Sequence, residues 1–340
     1  MDSQEALGIG MIRRLLQLLS PLLLMGSAIA SDVVIVTGAP GTDEFAQVFA
    51  SSADAWADAA QRGGAGVARV GGGDPGEESD LAQLEKLLGG LVAQDPSPLW
   101  IVLLGHGTFD GRVAKFNLRG EDLSAATLAG WLEGSRRPIA IINTSASSAP
   151  FIKALSGKNR IVMTATKSGT EDSYARFGKY LAESIDSADA DIDQDGATSL
   201  LEAFLSATKQ VKEFYEKEGR IATEQALVDD NGDSLGTPAN FFRGTRAVKS
   251  AKDGTEPDGL RAHQWHLVPS EAERNLPDAL RAKRDALEAE LFALRARKGA
   301  VAEGKYFVEL ERIALALAEI YREAGSAGEG EELPPDYEPE

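Results

Sequence analysis

The 340-residue chain contains no cysteine, which removes disulfides, zinc–thiolate centres and thiolate nucleophiles together. Basic residues are in short supply. Thirty-five Lys and Arg face 53 Asp and Glu, a formal net charge of −18, so the surface repels phosphate backbones and argues against nucleic acid or anionic lipid as partner. Histidine occurs three times and aromatic residues make up 6%, so any imidazole chemistry has few places to reside. What is present is enough for folding: 43% hydrophobic residues over this length exclude a disordered chain and, at roughly 150 residues per domain, bound the answer at one large domain with an addition, or two domains.

The amino terminus has the pattern of a signal peptide. Arg13 and Arg14 precede an apolar run, Leu15 to Met25, interrupted by Ser20 and Pro21, and Ala28-Ile29-Ala30 supplies small residues at a cleavage site. The run is shorter than the roughly 20 residues that span a bilayer. Residues 1–30 are therefore expected to be removed, with the mature chain beginning at Ser31 in a periplasmic or secreted location. An uncleaved signal acting as a membrane anchor is the alternative.

Beyond it, short β-branched runs alternate with amphipathic stretches. Val33–Val36, Ala65–Val70, Leu99–Leu104, Ile139–Ile142 and Ile161–Thr166 read as strands, and Val113–Leu118 as a hairpin strand. Thr42–Ala60, Ser79–Val92, Ser124–Trp131, Pro150–Leu155 and Tyr174–Ile185 read as helices. Continuous apolar strands separated by helices predict an α/β fold, a three-layer sandwich around a mainly parallel sheet, and in such sheets functional groups collect at the carboxyl ends of the strands. Asp230–Gly259, rich in Gly, Asp and Lys, reads as surface loops wrapping the domain. From Leu276 the apolar residues fall at heptad steps through Leu280, Leu287, Leu291 and Leu294, and again through Tyr306, Leu310, Ile313, Leu317 and Ile320, the pattern of an antiparallel, coiled-coil-like helical hairpin. Its stripe must be buried, in cis or against another chain. The expected boundaries are 31–235 for the α/β domain, 236–270 for the wrapping segment, 271–324 for the hairpin and 325–340 for a disordered acidic tail holding six acids, no base and three prolines.

Two strand ends carry candidate chemistry. Gly105-His106-Gly107 closes the third strand, and Asn143-Thr144-Ser145-Ala146-Ser147-Ser148 closes the fourth. A histidine between glycines lets backbone approach a substrate while the imidazole serves as base or acid; a tight turn with one polar residue is the simpler alternative. These residues resemble the caspase, legumain and gingipain class of cysteine peptidases, closest to its legumain-like bacterial branch, over about Asp32 to Asp233. The resemblance extends through Ala165-Thr166-Lys167-Ser168-Gly169 on the following strand. Ser145 lies 39 residues after His106, somewhat less than the family spacing of about 50. The resemblance implies that His106 is the catalytic histidine, that Gly107 lends its backbone amide to an oxyanion hole, that Ser147-Ser148 stands on the family's Ser-Gly, and that Ser145 occupies the cysteine position.

That replacement shapes the functional reading. A thiol is a few per cent ionised at neutral pH, whereas a hydroxyl must be deprotonated during attack by a base that a third group holds, and no orienting acid for His106 is visible in the sequence. The expectation is a peptidase-like homologue without turnover that binds peptide or protein as a recognition or scaffold module. The alternative is an active peptidase using Ser145 with His106 as base.

Asp191-Ile192-Asp193-Gln194-Asp195-Gly196-Ala197-Thr198-Ser199-Leu200-Leu201-Glu202 fits the 12-residue EF-hand-like calcium loop. Carboxylates stand at positions 1, 3 and 5, glycine at 6, the Ala197 carbonyl at 7, Ser199 at 9 and Glu202 at 12. The expectation is one structural Ca²⁺ held by Asp191, Asp193, Asp195, Ala197 (backbone), Ser199 and, bidentately, Glu202; an acidic loop that merely caps a helix through Ser199 is the alternative. Asp229-Asp230-Asn231-Gly232-Asp233 lacks the terminal Glu and the spacing and reads as a turn, with a minor ion site as the alternative. His263 and His266 flank Trp265 and could bind a metal if helical, but with no acidic or third ligand nearby in sequence they read as an interfacial packing cluster.

Overall fold

The computed structural model describes residues 31–74, 76–92, 97–249 and 257–328. The expected signal peptide, residues 1–30, and the residues of the expected acidic tail from 329 onward lie outside them.

Why the chain forms a covered parallel sheet is visible in one strand. In β1 (Asp32–Thr37) Val33 and Ile35 point to one face while Val34 and Val36 point to the other, and all four are fully buried. A strand with apolar side chains on both faces demands a helical layer on each. The same holds for β3 (Leu99–Leu104), buried along its whole length, and for β7 (Ile139–Asn143). With β2 (Gly66–Gly71), β8 (Arg160–Thr164), β9 (Leu227–Asp229) and β10 (Thr237–Pro238) they form a seven-stranded sheet in the order β10-β9-β8-β7-β3-β1-β2. Its central pairings are parallel, with Val34 opposite Ile101 and Ile101 opposite Ile141. One face is covered by α1 (Asp43–Arg62), α5 (Phe177–Ser184) and α6 (Leu200–Lys217), centred on Trp56, Phe177 and Phe204. The other is covered by α2 (Asp80–Val92), α3 (Ala125–Trp131) and α4 (Pro150–Leu155), centred on Leu84, Leu128 and Phe151. This is the three-layer α/β arrangement that the sequence predicts.

Side chains fix the ends of the layers. Thr42 caps α1 through its hydroxyl, which accepts from the Phe45 amide, and Asp43 and Glu44 sit in the first turn where the helix dipole favours negative charge. At the amino ends of the strands the buried Arg137 guanidinium donates to the carbonyls of Leu91, Ser97 and Pro98 and to Asp32 Oδ2 at 2.7 Å. At the opposite end a small antiparallel sheet of β4 (Gly107–Phe109), β5 (Ala114–Phe116) and β6 (Leu123–Ser124) folds over the carboxyl edge. The expected hairpin strand is thus β5, and its partner is β4.

Three expectations are corrected, and two edge strands were not anticipated. The helix read from Tyr174 starts at Phe177, because the buried Glu224 carboxylate accepts from the amides of Arg176 and Phe177 and caps it there. β9 and β10 are antiparallel additions to the sheet edge, too short to carry a periodic signal. The Asp230–Gly259 stretch is not only surface: Asp230 and Asp258, at or near its two ends, are buried and bind each other's flanking backbone. In between, β11 (Phe242–Arg243) pairs with β12 (Arg246–Ala247). The helical hairpin comprises α9 (Asp278–Ala296) and α10 (Glu303–Gly328), so four residues expected in the tail are helical. It follows the short helices α7 (Leu260–His263) and α8 (Glu271–Asn275). Its stripe closes on itself, with Leu287 and Leu294 against Tyr306, Ile313 and Ile320. No helix among the described residues is long and apolar enough to cross a membrane.

Candidate functional site

β3 and β7 are parallel neighbours with Leu103 opposite Asn143, so the loops that leave their carboxyl ends lie side by side. Gly105 makes the first turn possible: a Cβ there would stand 2.9 Å from Phe116 Cζ and 3.1 Å from Gly38 Cα, a closeness only glycine tolerates. His106 follows, half-buried, in an aromatic box. Its ring meets Phe45 at 4.6 Å and Phe49 at 5.2 Å, and Tyr174 at 5.9 Å, all edge-on. Burial pushes the Tyr174 hydroxyl up to about 12, so this wall of the box stays neutral. The His106 Nε2 lies 3.1 Å from the Pro40 carbonyl oxygen. A carbonyl only accepts, so in this contact Nε2 carries the proton, and a neutral imidazole then presents Nδ1 as its acceptor. The orienting group that the sequence leaves unidentified is therefore a backbone carbonyl in the loop between β1 and α1, with no side-chain signature to read.

Ser145 sits on the adjoining loop but its hydroxyl is engaged elsewhere. The residue is 1% exposed, and Oγ donates to Asn143 Oδ1 at 2.7 Å while its own amide donates to the same oxygen at 3.0 Å. Gly107 closes over it: a Cβ on Gly107 would come within 2.5 Å of Ser145 Oγ and 2.3 Å of the Ala146 carbonyl oxygen. The three residues expected to share a site, His106, Gly107 and Ser145, are thus gathered at adjacent strand ends, and Ser145 has Asn143 as its hydroxyl's acceptor. The loop beyond is tightly held. Ser147 adopts a left-handed conformation at φ +55°, uncommon for a residue with a side chain, and its amide donates to the Glu171 carbonyl at 2.8 Å. The Ser148 hydroxyl accepts from the Ala165 and Thr166 amides, tying this loop to the end of β8. Asn143 Nδ2 and Ser147 Oγ are sealed without a partner.

Beside the aromatic box lies a pocket of about 340 Å³ whose walls include Glu44, Phe45, Tyr174, Arg176, Phe214 and Arg220. The Arg176 guanidinium is stacked 4.2 Å from the centre of the Phe214 ring, a cation–π arrangement that fixes it at the pocket wall. Sequence reasoning missed Glu224, Arg176 and Asn143; only the last stood in a quoted motif.

The acidic loop folds as its spacing suggests. Asp191, Asp193 and Asp195 bring one carboxylate oxygen each within 4.8 Å of one another, Asp191 Oδ2 accepts from the Gly196 amide at 3.0 Å, and Asp191 Oδ1 is sealed with no partner. Burial, followed by the Glu202 charge, raises the Asp193 carboxyl to about 6. Ser199 caps α6 and forms a reciprocal capping box with Glu202. Glu202, fully buried, accepts from the Ile192 and Asp193 amides on Oε1 and from the Ser199 amide and hydroxyl on Oε2. Both oxygens expected to grip calcium bidentately are thus fastening the loop to the helix, as is the Ser199 hydroxyl. The Ala197 amide donates to Asp195 Oδ1 at 2.9 Å. The three aspartates and the orphaned Asp191 oxygen fit a divalent cation. The full six-residue set does not converge.

No protein-family model matches the chain. No curated protein matches it. Among solved structures it is similar to the Drosophila initiator caspase Dronc, with 13% identity and a TM-score of 0.38 over 61% of this chain and 81% of that one. It is likewise similar to caspase-1 from Spodoptera frugiperda, with 10% identity and a TM-score of 0.38 over 59% of this chain and 86% of that one.

Proposed function

We propose that the α/β domain is an exported, peptidase-like recognition module in the legumain-like manner, binding an extended peptide at the strand-end cleft without turning it over. The observation that carries this reading is the state of Ser145. It is buried, its hydroxyl is committed to the Asn143 amide oxygen, and at the cysteine position it lacks an ionised fraction to attack with. His106 remains oriented by the Pro40 carbonyl, and the neighbouring pocket with its stacked Arg176 supplies a surface for a side chain of the bound segment. In the same reading a divalent cation, calcium by the spacing of the loop, is held by Asp191, Asp193 and Asp195 and stabilises the domain.

The test compares wild type, His106→Ala, Ser145→Ala and Ser145→Cys on a diverse peptide library, scoring both cleavage and binding. Wild type is expected to bind without cleaving. Cleavage by wild type that both alanine substitutions abolish establishes the serine-peptidase alternative instead. Absence of any peptide binding removes the recognition role.

A further inference from the structure

The loop that leaves β9 contains the pair Asn231-Gly232, the one place in the chain where glycine follows asparagine. Such a pair has a chemistry of its own: the glycine nitrogen can attack the asparagine amide carbon and close a succinimide ring. In an unfolded chain the attack waits for hydroxide to remove the proton from that nitrogen. Here the groups it needs are already in place. The Gly232 amide donates to Asp229 Oδ1 at 3.0 Å, so a carboxylate stands on the proton that must leave. Asp229 is 1% exposed, and burial raises its carboxyl, which makes the ionised form a stronger base than a carboxylate in water. The Asp233 amide donates to Asn231 Oδ1 at 2.8 Å, polarising the carbonyl under attack and meeting the negative charge that forms on its oxygen.

The arrangement is held from several sides. Position 232 has to be glycine, since φ is +84° and a Cβ would stand 3.1 Å from the Gly157 carbonyl carbon and oxygen; the attacking nitrogen therefore has no side chain beside it to hinder the approach. The Asn231 amide donates to Asp258 Oδ1 at 3.1 Å, the Ser234 amide to the Ser156 hydroxyl at 3.0 Å, and the Leu235 amide to Asp233 Oδ1 at 2.7 Å. Asn231 and Gly232 are themselves half-buried, so water can enter and ammonia can leave.

We propose that Asn231 is a self-modifying site, converted to aspartate and isoaspartate with Asp229 as the base and water as the co-reactant. Gly232 N forms a bond to Asn231 Cγ as its proton passes to Asp229. The Cγ–Nδ2 bond then breaks, and Nδ2 leaves with that proton as ammonia. Water opens the succinimide at either carbonyl, leaving the peptide link through the α- or the β-carboxyl, and no oxidant or reductant takes part. The product adds a negative charge beside Asp229, Asp230, Asp233 and Asp258. In the isoaspartyl form it also lengthens the main chain by one carbon between the Asn231 amide that Asp258 holds and Gly232. Asp230 and Asp258 bind each other's flanking backbone and so fasten the Asp230–Gly259 stretch beside β9. Conversion therefore loosens that junction with time, whatever the cleft at β3 and β7 binds.

The experiment holds the full chain at neutral pH in oxygen-18 water, folded or unfolded in urea. Peptides covering position 231 are followed by mass spectrometry for the amide-to-acid mass gain, and isoaspartate is located by fragmentation. The folded protein is expected to convert Asn231 faster than the unfolded chain by about tenfold or more, a modest share of what a positioned general base contributes. Asp229→Asn keeps an oxygen to accept the Gly232 amide and removes the base; its folded rate should drop to that of the unfolded chain, while its unfolded rate matches wild type. Should that variant fail to fold, the wild-type comparison of folded with unfolded chain decides alone. Conversion no faster in the folded protein than in the unfolded chain, or a folded rate that Asp229→Asn leaves unchanged, overturns the proposal. The separated isoaspartyl form, and Asn231→Asp standing in for the aspartyl form, should both melt below wild type; converted chains that melt with the wild type refute the loosening.

Discussion

Asp230 and Asp258 provide a quantitative test of how the wrapping segment is held. Both carboxyls are buried, Asp258 at 1% exposure. Asp258 Oδ1 accepts from the Asp230 and Asn231 amides, and Oδ2 accepts from the Thr237 hydroxyl. Burial, then the Asp230 charge, lifts Asp258 to about 8, and burial raises Asp230 as well. The pair therefore keeps a proton in the folded state that the unfolded chain releases near pH 4. Between pH 4 and 8 the folded protein binds one more proton than the unfolded one at this site, so its contribution to stability falls as pH rises, by about 1.4 kcal/mol per pH unit where the difference is complete. The contribution is fully present below the unfolded pKa and lost as pH rises through the folded one. Asp258→Asn keeps the oxygen that accepts the two amides and removes the shared proton. Urea unfolding of metal-free protein at pH 5, 6 and 7 should show a slope in the variant shallower than wild type by about 1.4 kcal/mol per unit. Asp193, raised to about 6, adds a slope of the same sign to both proteins, so the difference between them isolates the pair. Equal slopes, or a wild type less stable at pH 5 than at pH 7 by the same margin as the variant, refute the assignment.

Gly107→Ala forces a methyl group against Ser145 Oγ and the Ala146 carbonyl, and overpacking of this kind is expected to cost about 1–3 kcal/mol in denaturant unfolding, with peptide binding at the cleft reduced alongside. Arg137→Met removes a buried guanidinium that satisfies three carbonyls and the Asp32 carboxylate. The expected loss is about 3–5 kcal/mol, read as a melting temperature lower by on the order of 10 °C; a shift under about 2 °C would mean that water replaces the network without penalty.

The layered sheet was legible because its cause is local. A six-residue run such as Leu99–Leu104, apolar at every position, cannot be half-exposed, and the intervening amphipathic stretches state which face they cover. The heptads of the hairpin were legible for the same reason, and their self-burial through Leu287, Leu294, Ile313 and Ile320 follows from a stripe on each helix. What escaped the sequence is held by contacts with no periodicity. Glu224 shortens α5 from 47 residues away, and β9 and β10 are strands of three and two residues whose identity is conferred by their partners, the β8 edge for β9 and β9 itself for β10.

At the candidate sites the same division appears in sharper form. The strand-end motifs, with the family resemblance laid on them, singled out His106, Gly107 and Ser145, and strand ends in a parallel sheet are neighbours whenever their strands are. They did not reveal the groups that decide the state of these residues. The Pro40 carbonyl that fixes the imidazole is backbone, and Asn143 becomes an acceptor for Ser145 only through the turn at the end of β7. The acidic loop shows the complementary limit. Its twelve-residue pattern encodes ligand types but leaves open whether Glu202 turns toward a cation or, as here, toward four amide and hydroxyl donors. The histidines were read as packing because no acid stood near them in sequence; Trp265 does pack, against Trp100, and in doing so places the imidazoles on either side of it against Asp193 and Asp195. A residue pattern thus specifies chemistry where one element supplies every group. Where two elements supply it, the packing residue between the groups is what brings them together.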